Sequence, residues 1–316
     1  MDKYRTIRTL GDGTFGSVTM ATVKGSKEVV AIKKLKRTFG SWEECNELRE
    51  ISILRKICHP NIIKLREIIR EADDLYLVMD YMEQNLLGLI TRDAQMDLTF
   101  IKNIMRQVFE GLAYIHKSGI IHRDIKPENI LVSQNSCKIG DFGIAKDLRN
   151  GQPFTDYVST RWYRAPEQLL KSQRYSWPAD VFAAGCVLAE IFLKRPIFPG
   201  TNEQDQLMKI CEILGTPTAD NWPEFPQLSR RLGITFPRRA PAPLQDIMPS
   251  APLEAISFLS RILCWDPSKR SSAAQCLNHP FLQSIRRETF PIFSEQVEEV
   301  KSPINSRNSF GRRSFK

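Results

Sequence analysis

The chain has 316 residues, is 42% hydrophobic and 26% charged, and carries a formal net charge of +9. This is the balance of a globular protein of about two domains, and it excludes a disordered chain, a collagen-like chain and a small disulfide scaffold. The excess of cations is dispersed. Residues 285–316 hold seven Lys/Arg against four Glu, the rest is spread over the chain, and no nucleic-acid-binding motif accompanies it, so a basic solvated surface is expected.

In chain order, the opening MDKYRTIRTL has no apolar stretch of a signal peptide. Residues 4–36 read as strands around the glycine-rich turn 11-GDGTFGSV-18 and a second turn, 24-KGSK-27. One helix is expected next. Ser41 and Glu44 form a capping-box pattern, Leu48, Ile51, Leu54 and Ile57 recur at helical spacing, and His59-Pro60-Asn61 ends the run. Two more strand-like runs follow, 62-IIKLREII-69 and 75-LYLVMDYM-82, joined by the polar turn 71-EADD-74.

The pattern then turns helical. Residues 99–117 place Ile101, Ile104, Met105, Val108, Leu112 and Ile115 on one face, with Gly119 as a C-terminal cap. Helices are also expected over 178–193, with a proline near the start, and over 203–214 and 253–264. The proline-rich stretch 216–252 reads as an ordered loop. Strands followed by helices point to an α+β architecture. The tail 301-KSPINSRNSFGRRSFK-316 is poor in packing residues and is expected to be disordered. The seven cysteines form no C-x-x-C pair, and with four histidines they offer no zinc-ligand spacing, so a reducing compartment is expected. The apolar charge-free run between Asp180 and Glu190 is far short of the ~20 residues of a membrane span. A soluble intracellular protein without a membrane partner is expected.

Gly11-x-Gly13-x-x-Gly16 alone fits a dinucleotide fingerprint or a plain hairpin. A dinucleotide site needs a helix directly after the loop, whereas Val18, Met20 and Thr22 read as a returning strand. The expected geometry is a flap whose backbone N–H groups can cover phosphates. Four further strings follow in order: 30-VAIK-33, 122-HRDIKPEN-129, 141-DFG-143 and 160-TRWYRAPE-167. Together the five resemble a eukaryotic protein kinase over about residues 4–284.

The resemblance implies a bilobal α+β kinase fold. A β-rich lobe would cover 1–82, a mainly helical lobe 83–284, and 285–316 would lie outside the fold. It implies ATP and Mg²⁺ as cofactors, for a reaction in which the site positions groups and neutralises charge. Lys33 would hold the α- and β-phosphates and Glu50 would fix Lys33. Asn129 and Asp141 would supply oxygens to the metal. Asp124 would orient or accept the proton of the attacking hydroxyl, and Lys126 would stabilise charge on the γ-phosphate. Leu10, Gly11, Asp12, Gly13, Gly16, Val18, Ala31 and Leu131 would surround the nucleotide. Met79 matches the residue at the back of the adenine slot, and Asp80 and Met82 would contact adenine through main chain only. His122 is expected to be a packed structural histidine, Asp180 an anchor of the catalytic loop, and Arg270 a partner of Glu167.

The stretch 153-PFTDYVSTRWYRAPE-167 and the insert 196-PIFPGTNEQDQLMKICEILGTP-217 resemble the proline-directed group of cyclin-dependent and mitogen-activated kinases, most closely the MAK/ICK/MOK family. This implies phosphorylation of Thr155 and Tyr157 as a switch. Arg49, Arg123 and Lys146 would receive the phosphothreonine, Arg161 and Arg164 the phosphotyrosine, and Thr160 would hydrogen-bond near Asp124 and Lys126. Lys146 departs from the arginine usual in the group, which weakens a planar grip on phosphate. The implied partners are proteins with Ser/Thr-Pro sites and an upstream kinase acting on Thr155; a monomer without nucleic-acid partners is expected. A cyclin-dependent type and an ATP-binding pseudokinase scaffold are the alternatives. The address is cytoplasmic, with cilium or flagellum and nucleus implied by resemblance alone. Family members carry a long C-terminal extension, so this chain has a short tail or is a piece of a longer one.

Overall fold

A computed structural model describes residues 1–283 except 14–15, 93–95, 135, 151–159 and 173–174. Thr155, Tyr157 and the 285–316 tail lie outside the described residues.

The alternating start folds as β1 (Tyr4–Asp12), β2 (Gly16–Val23) and β3 (Val29–Leu35). With β4 (Leu65–Glu71) and β5 (Asp74–Asp80) they form an antiparallel sheet in the order β1-β2-β3-β5-β4. β4 begins at Leu65, later than the expected 62, because residues 61–63 are bonded elsewhere. Asn61 O accepts from Ile139 N–H and Ile63 N–H donates to Ile139 O, each at 2.9 Å.

The single helix expected after β3 is two, α1 (Trp42–Asn46) and α2 (Arg49–Leu54). Ser41 caps α1, accepting from Glu44 N–H, but the Glu44 carboxylate takes the Gly40 N–H instead of completing the capping box, and Leu48 is extended at φ −58° and ψ 126°. Cys45 and Ile51 both pack into one cluster with Leu35, Phe39, Leu75 and Leu77 under the sheet. Six residues of unbroken helix would leave them about 120° apart around the axis, so the break at Leu48 lets both face the same core.

After β6 (Gln84–Asn85) and α3 (Leu86–Thr91), the molecule is mainly helical. α4 (Leu98–Lys117) starts where Asp97 Oδ1 accepts from Phe100 N–H at 2.6 Å, buries all six predicted apolar residues, and stops at Gly119, whose φ of +74° suits glycine. Then come β7 (Ile120–Ile121), β8 (Ile130–Ser133), β9 (Ser136–Ile139), β10 (Lys146–Asp147) and α5 (Pro166–Leu169). α6 (Pro178–Leu193) is buried nearly all round, with its proline in the first turn where no N–H is needed. α7 (Glu203–Leu214) matches its predicted bounds. The 216–252 stretch is not loop throughout. It contains α8 (Phe225–Leu232) and α9 (Leu244–Ile247), and Trp222 and Phe225 are buried there beside Trp265. α10 (Leu253–Ser260) is shorter than predicted, and α11 (Ala273–Cys276) and α12 (Pro280–Gln283) close the described chain. One large core runs through the helical region, and smaller clusters lie on either face of the sheet. This is a bilobal fold of the kind a kinase adopts.

Candidate active site

β3 carries Lys33 in the middle of the sheet, between Val18 of β2 and Leu77 of β5. Its ammonium is buried and donates to Glu50 Oε1 and Oε2 at 2.9 Å each and to Asp141 Oδ1 at 3.3 Å. Burial opposes the charge, but Glu50 and Asp141 hold Lys33 above the ordinary lysine value. Burial likewise pushes Asp141 up, and Lys33, His122 and the Gly143 N–H outweigh it, leaving the carboxyl below the usual range. Burial, helped by Asp141, pushes the Glu50 carboxyl above the usual range against the pull of Lys33, and the three residues, distant in sequence, form one hydrogen-bonded network. Above it, Gly13 N–H donates to Gly16 O at 2.9 Å. A Cβ on Gly16 would stand 2.3 Å from Lys34 O, so only glycine permits this approach of β2 to β3.

The catalytic loop runs between β7 and β8. Its conformation costs backbone strain, since Arg123 has φ +72°. Asp180 on α6 holds it: Oδ2 accepts from His122 N–H and Oδ1 from Arg123 N–H, both at 2.8 Å. His122 is fully buried. It accepts from Asp124 N–H at Nδ1, contacts Gly140 O through Nε2 at 2.9 Å, and meets Phe142 edge-on at 4.7 Å. Those contacts fix the Nε2–H tautomer and leave no role as a base. Asp124 Oδ2 pairs with Lys126 Nζ at 2.9 Å and accepts from Asn129 Nδ2 at 2.9 Å. Asn129 Nδ2 also donates to Asp124 O at 2.8 Å.

These bonds turn the Asn129 carbonyl oxygen away from Asp124. Among the described residues, Asn129 Oδ1 and Asp141 Oδ2 have no hydrogen-bond partner. No cluster of three or more His, Cys, Asp or Glu suited to a metal exists among them. Two hard oxygens without a protein cage fit Mg²⁺, which keeps waters and shares phosphate oxygens.

Of the residues expected to line the adenine slot, Ala31 has Met79 as its Cα partner across β3–β5, and Leu131 lies on β8. Asp80 turns its carboxylate to Arg66 and Lys138, so only its main chain is left for a ligand. Met82 is buried, and its peptide groups make no hydrogen bond among the described residues. Leu10, Gly11 and Val18 lie at the loop end of the β1–β2 hairpin. The Asp12 side chain is solvent-facing and paired with Lys36 at 2.9 Å, so it contributes backbone at most.

Lys146, Arg123 and Arg49 come together as expected. Burial, then Arg123 and Arg49, push the Lys146 ammonium below the ordinary lysine range. In the following segment Thr160 makes no hydrogen bond to Asp124 or Lys126, whose own pairing with Asn129 centres on Asp124 Oδ2. Arg164 reaches Glu203 on α7 at 3.3 Å, an acidic partner that Lys171 shares at 2.9 Å; Arg161 lies close enough to Arg164 to weaken its charged form. Arg270 and Glu167 form a buried two-bond pair at 2.7 Å each, with Arg270 over the Phe182 ring at 4.9 Å.

Sequence reasoning missed His116, whose Nε2 lies 2.9 Å from Asp180 Oδ2, and Tyr175, whose ring lies 5.7 Å from the Arg123 guanidinium. His116 sits in the last turn of α4, six residues before His122, and that spacing was its one visible signal. Glu203 carried no signal beyond an acidic first turn of α7.

A model of the protein kinase domain matches residues 4–282. Human serine/threonine-protein kinase MAK is 50% identical over 285 residues, covering 90% of this chain and 46% of the relative. Mouse serine/threonine-protein kinase ICK is also 50% identical over 285 residues, covering 90% and 45%. Rice cyclin-dependent kinase F-3 is 44% identical over 308 residues, covering 97% and 71%. The chain spans about half the length of the MAK and ICK relatives it matches. With the sheet, the strained loop and the Lys33 network in place beneath that match, the chain belongs to the protein kinase family and is similar to the MAK and ICK kinases.

Proposed function

We propose that the chain is a serine/threonine protein kinase that moves the γ-phosphate of ATP to a hydroxyl followed by proline. The observation that carries this reading is the Lys33–Glu50–Asp141 network facing Asp124 and Asn129 with two metal-competent oxygens free. Mg²⁺ held by Asn129 and Asp141 would neutralise phosphate charge. Lys33, kept ionised by Glu50, binds the α- and β-phosphates. Lys126, paired with Asp124 Oδ2 at 2.9 Å, faces the developing charge. The substrate hydroxyl proton passes to Asp124 Oδ1, since Oδ2 is already engaged. The hydroxyl oxygen forms the new P–O bond as the bond from γ-phosphorus to the bridging oxygen breaks, and ADP leaves.

The MAK and ICK names support Ser/Thr acceptors. The Arg164 context supports proline direction, and the Arg49–Arg123–Lys146 cluster supports control by phosphate on Thr155, with Tyr157 as its companion and an upstream kinase as the agent. Cytoplasmic, ciliary or nuclear action rests on family resemblance alone.

Purified protein with ATP and Mg²⁺ on paired Ser-Pro and Ser-Ala peptides tests the reading. Asp124→Asn should lower turnover roughly 10²–10⁴-fold while ADP binding stays near the parent value. Equal rates on the two peptides would sink the proline specificity, and unchanged turnover in Asp124→Asn would sink the mechanism.

A further inference from the structure

Asp80 ends β5 where the sheet passes into the helical region, and its carboxylate is held from two sides. Arg66 Nε on β4 donates to Oδ1 at 2.7 Å, and Lys138 Nζ on β9 lies 3.3 Å from Oδ2. Arg66 also pairs with Glu28 just ahead of β3. The Asp80 and Lys138 side chains are only 17% and 18% exposed, so this is not a loose surface pair. Asp80 N–H further donates to Lys64 O at 3.2 Å.

The register says what these charges hold apart. Across β8–β9 the Cα partner of Lys138 is Leu131, which the nucleotide reading puts on the floor of the slot. Across β3–β5 the partner of Asp80 is Val30, next to Ala31 in the roof. The Asp80–Lys138 pair therefore joins β5, the sheet neighbour of the Ala31 strand, to β9, the sheet neighbour of the Leu131 strand. Three residues along β3 from Val30, about 10 Å away, Lys33 makes the corresponding link to Asp141. Lys138 also adjoins Ile139, whose two backbone bonds to Asn61 and Ile63 form the second connection between sheet and helical region.

We propose that Arg66, Asp80 and Lys138 form a spacing clamp on the hinge side of the cleft, which makes Lys138 a positioning residue that sets the height of the nucleotide slot. The inference rests on the nucleotide reading above. Covalent continuity through Tyr81 and Met82 leaves backbone torsions free to open the cleft; an ion pair between the two walls restrains that opening. Losing it should lower the population of the closed slot, which a nucleotide feels as weaker binding. Peptide recognition by the helical region should not change.

The experiment measures the affinity of a fluorescent ADP analogue with Mg²⁺, KM for ATP, KM for peptide, and the unfolding temperature. The parent, Lys138→Met, Lys138→Arg, Asp80→Asn and the Asp80→Asn/Lys138→Met double variant are compared. Lys138→Met should weaken ADP binding and raise KM for ATP roughly three- to tenfold, with peptide KM and unfolding temperature little changed. Lys138→Arg should restore affinity. The double variant should be no weaker than Lys138→Met alone, because one interaction is lost in both. A parent that binds no ADP overturns the nucleotide reading and the clamp with it. A parent that binds ADP no better than Lys138→Met overturns the clamp alone. A Lys138→Met protein whose peptide KM and unfolding temperature worsen in step with ADP affinity also overturns it, since that is a general structural defect.

Discussion

Asp180 shows how one buried carboxylate organises a site it does not enter. It accepts from two backbone N–H groups of the catalytic loop and from His116. Those bonds hold Arg123 at φ +72° and so aim Asp124. Burial raises its carboxyl, but His116, His122 and the N–H donors outweigh this and hold it below the usual value. Because the folded value is depressed, the stabilisation is fully present above the unfolded value of about 3.9 and is lost as pH falls through the folded one. Thermal unfolding followed from pH 6 downward should therefore show a decline beginning near about pH 4. Asp180→Asn should be less stable at neutral pH and should show a shallower decline. Parallel curves for the two proteins would remove Asp180 from the acid response.

At the scale of elements, the β1–β2 hairpin and the broken α1–α2 pair determine where Lys33 and Glu50 meet. Gly16 is required by the 2.3 Å approach to Lys34 O, whereas a Cβ on Gly11 meets nothing within 4 Å. Gly16→Ala should shift β2 against β3, lower the unfolding temperature and weaken ADP binding. Gly11→Ala should leave the unfolding temperature near the parent value, and equal losses in the two variants would contradict the packing argument. α2 carries Arg49 beside Glu50, β10 carries Lys146 and the catalytic loop carries Arg123, so three elements converge with like charge. A phosphate on Thr155 adds about −1.5 to −2 charges, which relieves that repulsion and ties the elements together. Protein phosphorylated on Thr155 and Tyr157 should be more active than phosphatase-treated protein and should unfold a few degrees higher. Thr155→Ala should abolish most of the gain, and Lys146→Arg should keep or enlarge it, since a guanidinium can grip phosphate with two bonds. Phosphatase-treated protein as active as the phosphorylated form would refute the switch.

The whole molecule places its chemistry between a sheet and a helical body joined by the hinge and by residues 61–63. Both joints meet β9, which lets an ion pair at Lys138 bear on the slot. The described chain ends by packing α12 against α4: Phe281 and Leu282 are fully buried, and Arg106 donates to Leu282 O at 3.3 Å. Truncation after residue 290 keeps that packing and should leave unfolding temperature and peptide turnover nearly unchanged. Phe281→Ala should cost about 3–5 kcal/mol, the usual effect of emptying a buried phenylalanine site, read by urea unfolding. A large loss on truncation would show that residues beyond 290 contribute to the fold.

The sequence by itself determined the strand-rich start followed by a mainly helical region, the apolar face of α4, the family, and the short strings that hold Lys33, Asp124, Asn129 and Asp141. Each of these is written in residue type at close spacing: alternation for a strand, a 3.6-residue period for a helix, acid and amide side chains a few positions apart. Tertiary structure alone decided the rest. The helix breaks at Leu48 because Cys45 and Ile51 must reach one core cluster. Arg164 reaches Glu203, and Asp80 becomes the meeting point of Arg66 and Lys138. These outcomes depend on which charged or apolar group arrives first at a given point in space. Side chains as far apart as Asp80 and Lys138 carry no periodicity that links them, so their pairing appears only once the two walls of the cleft are built.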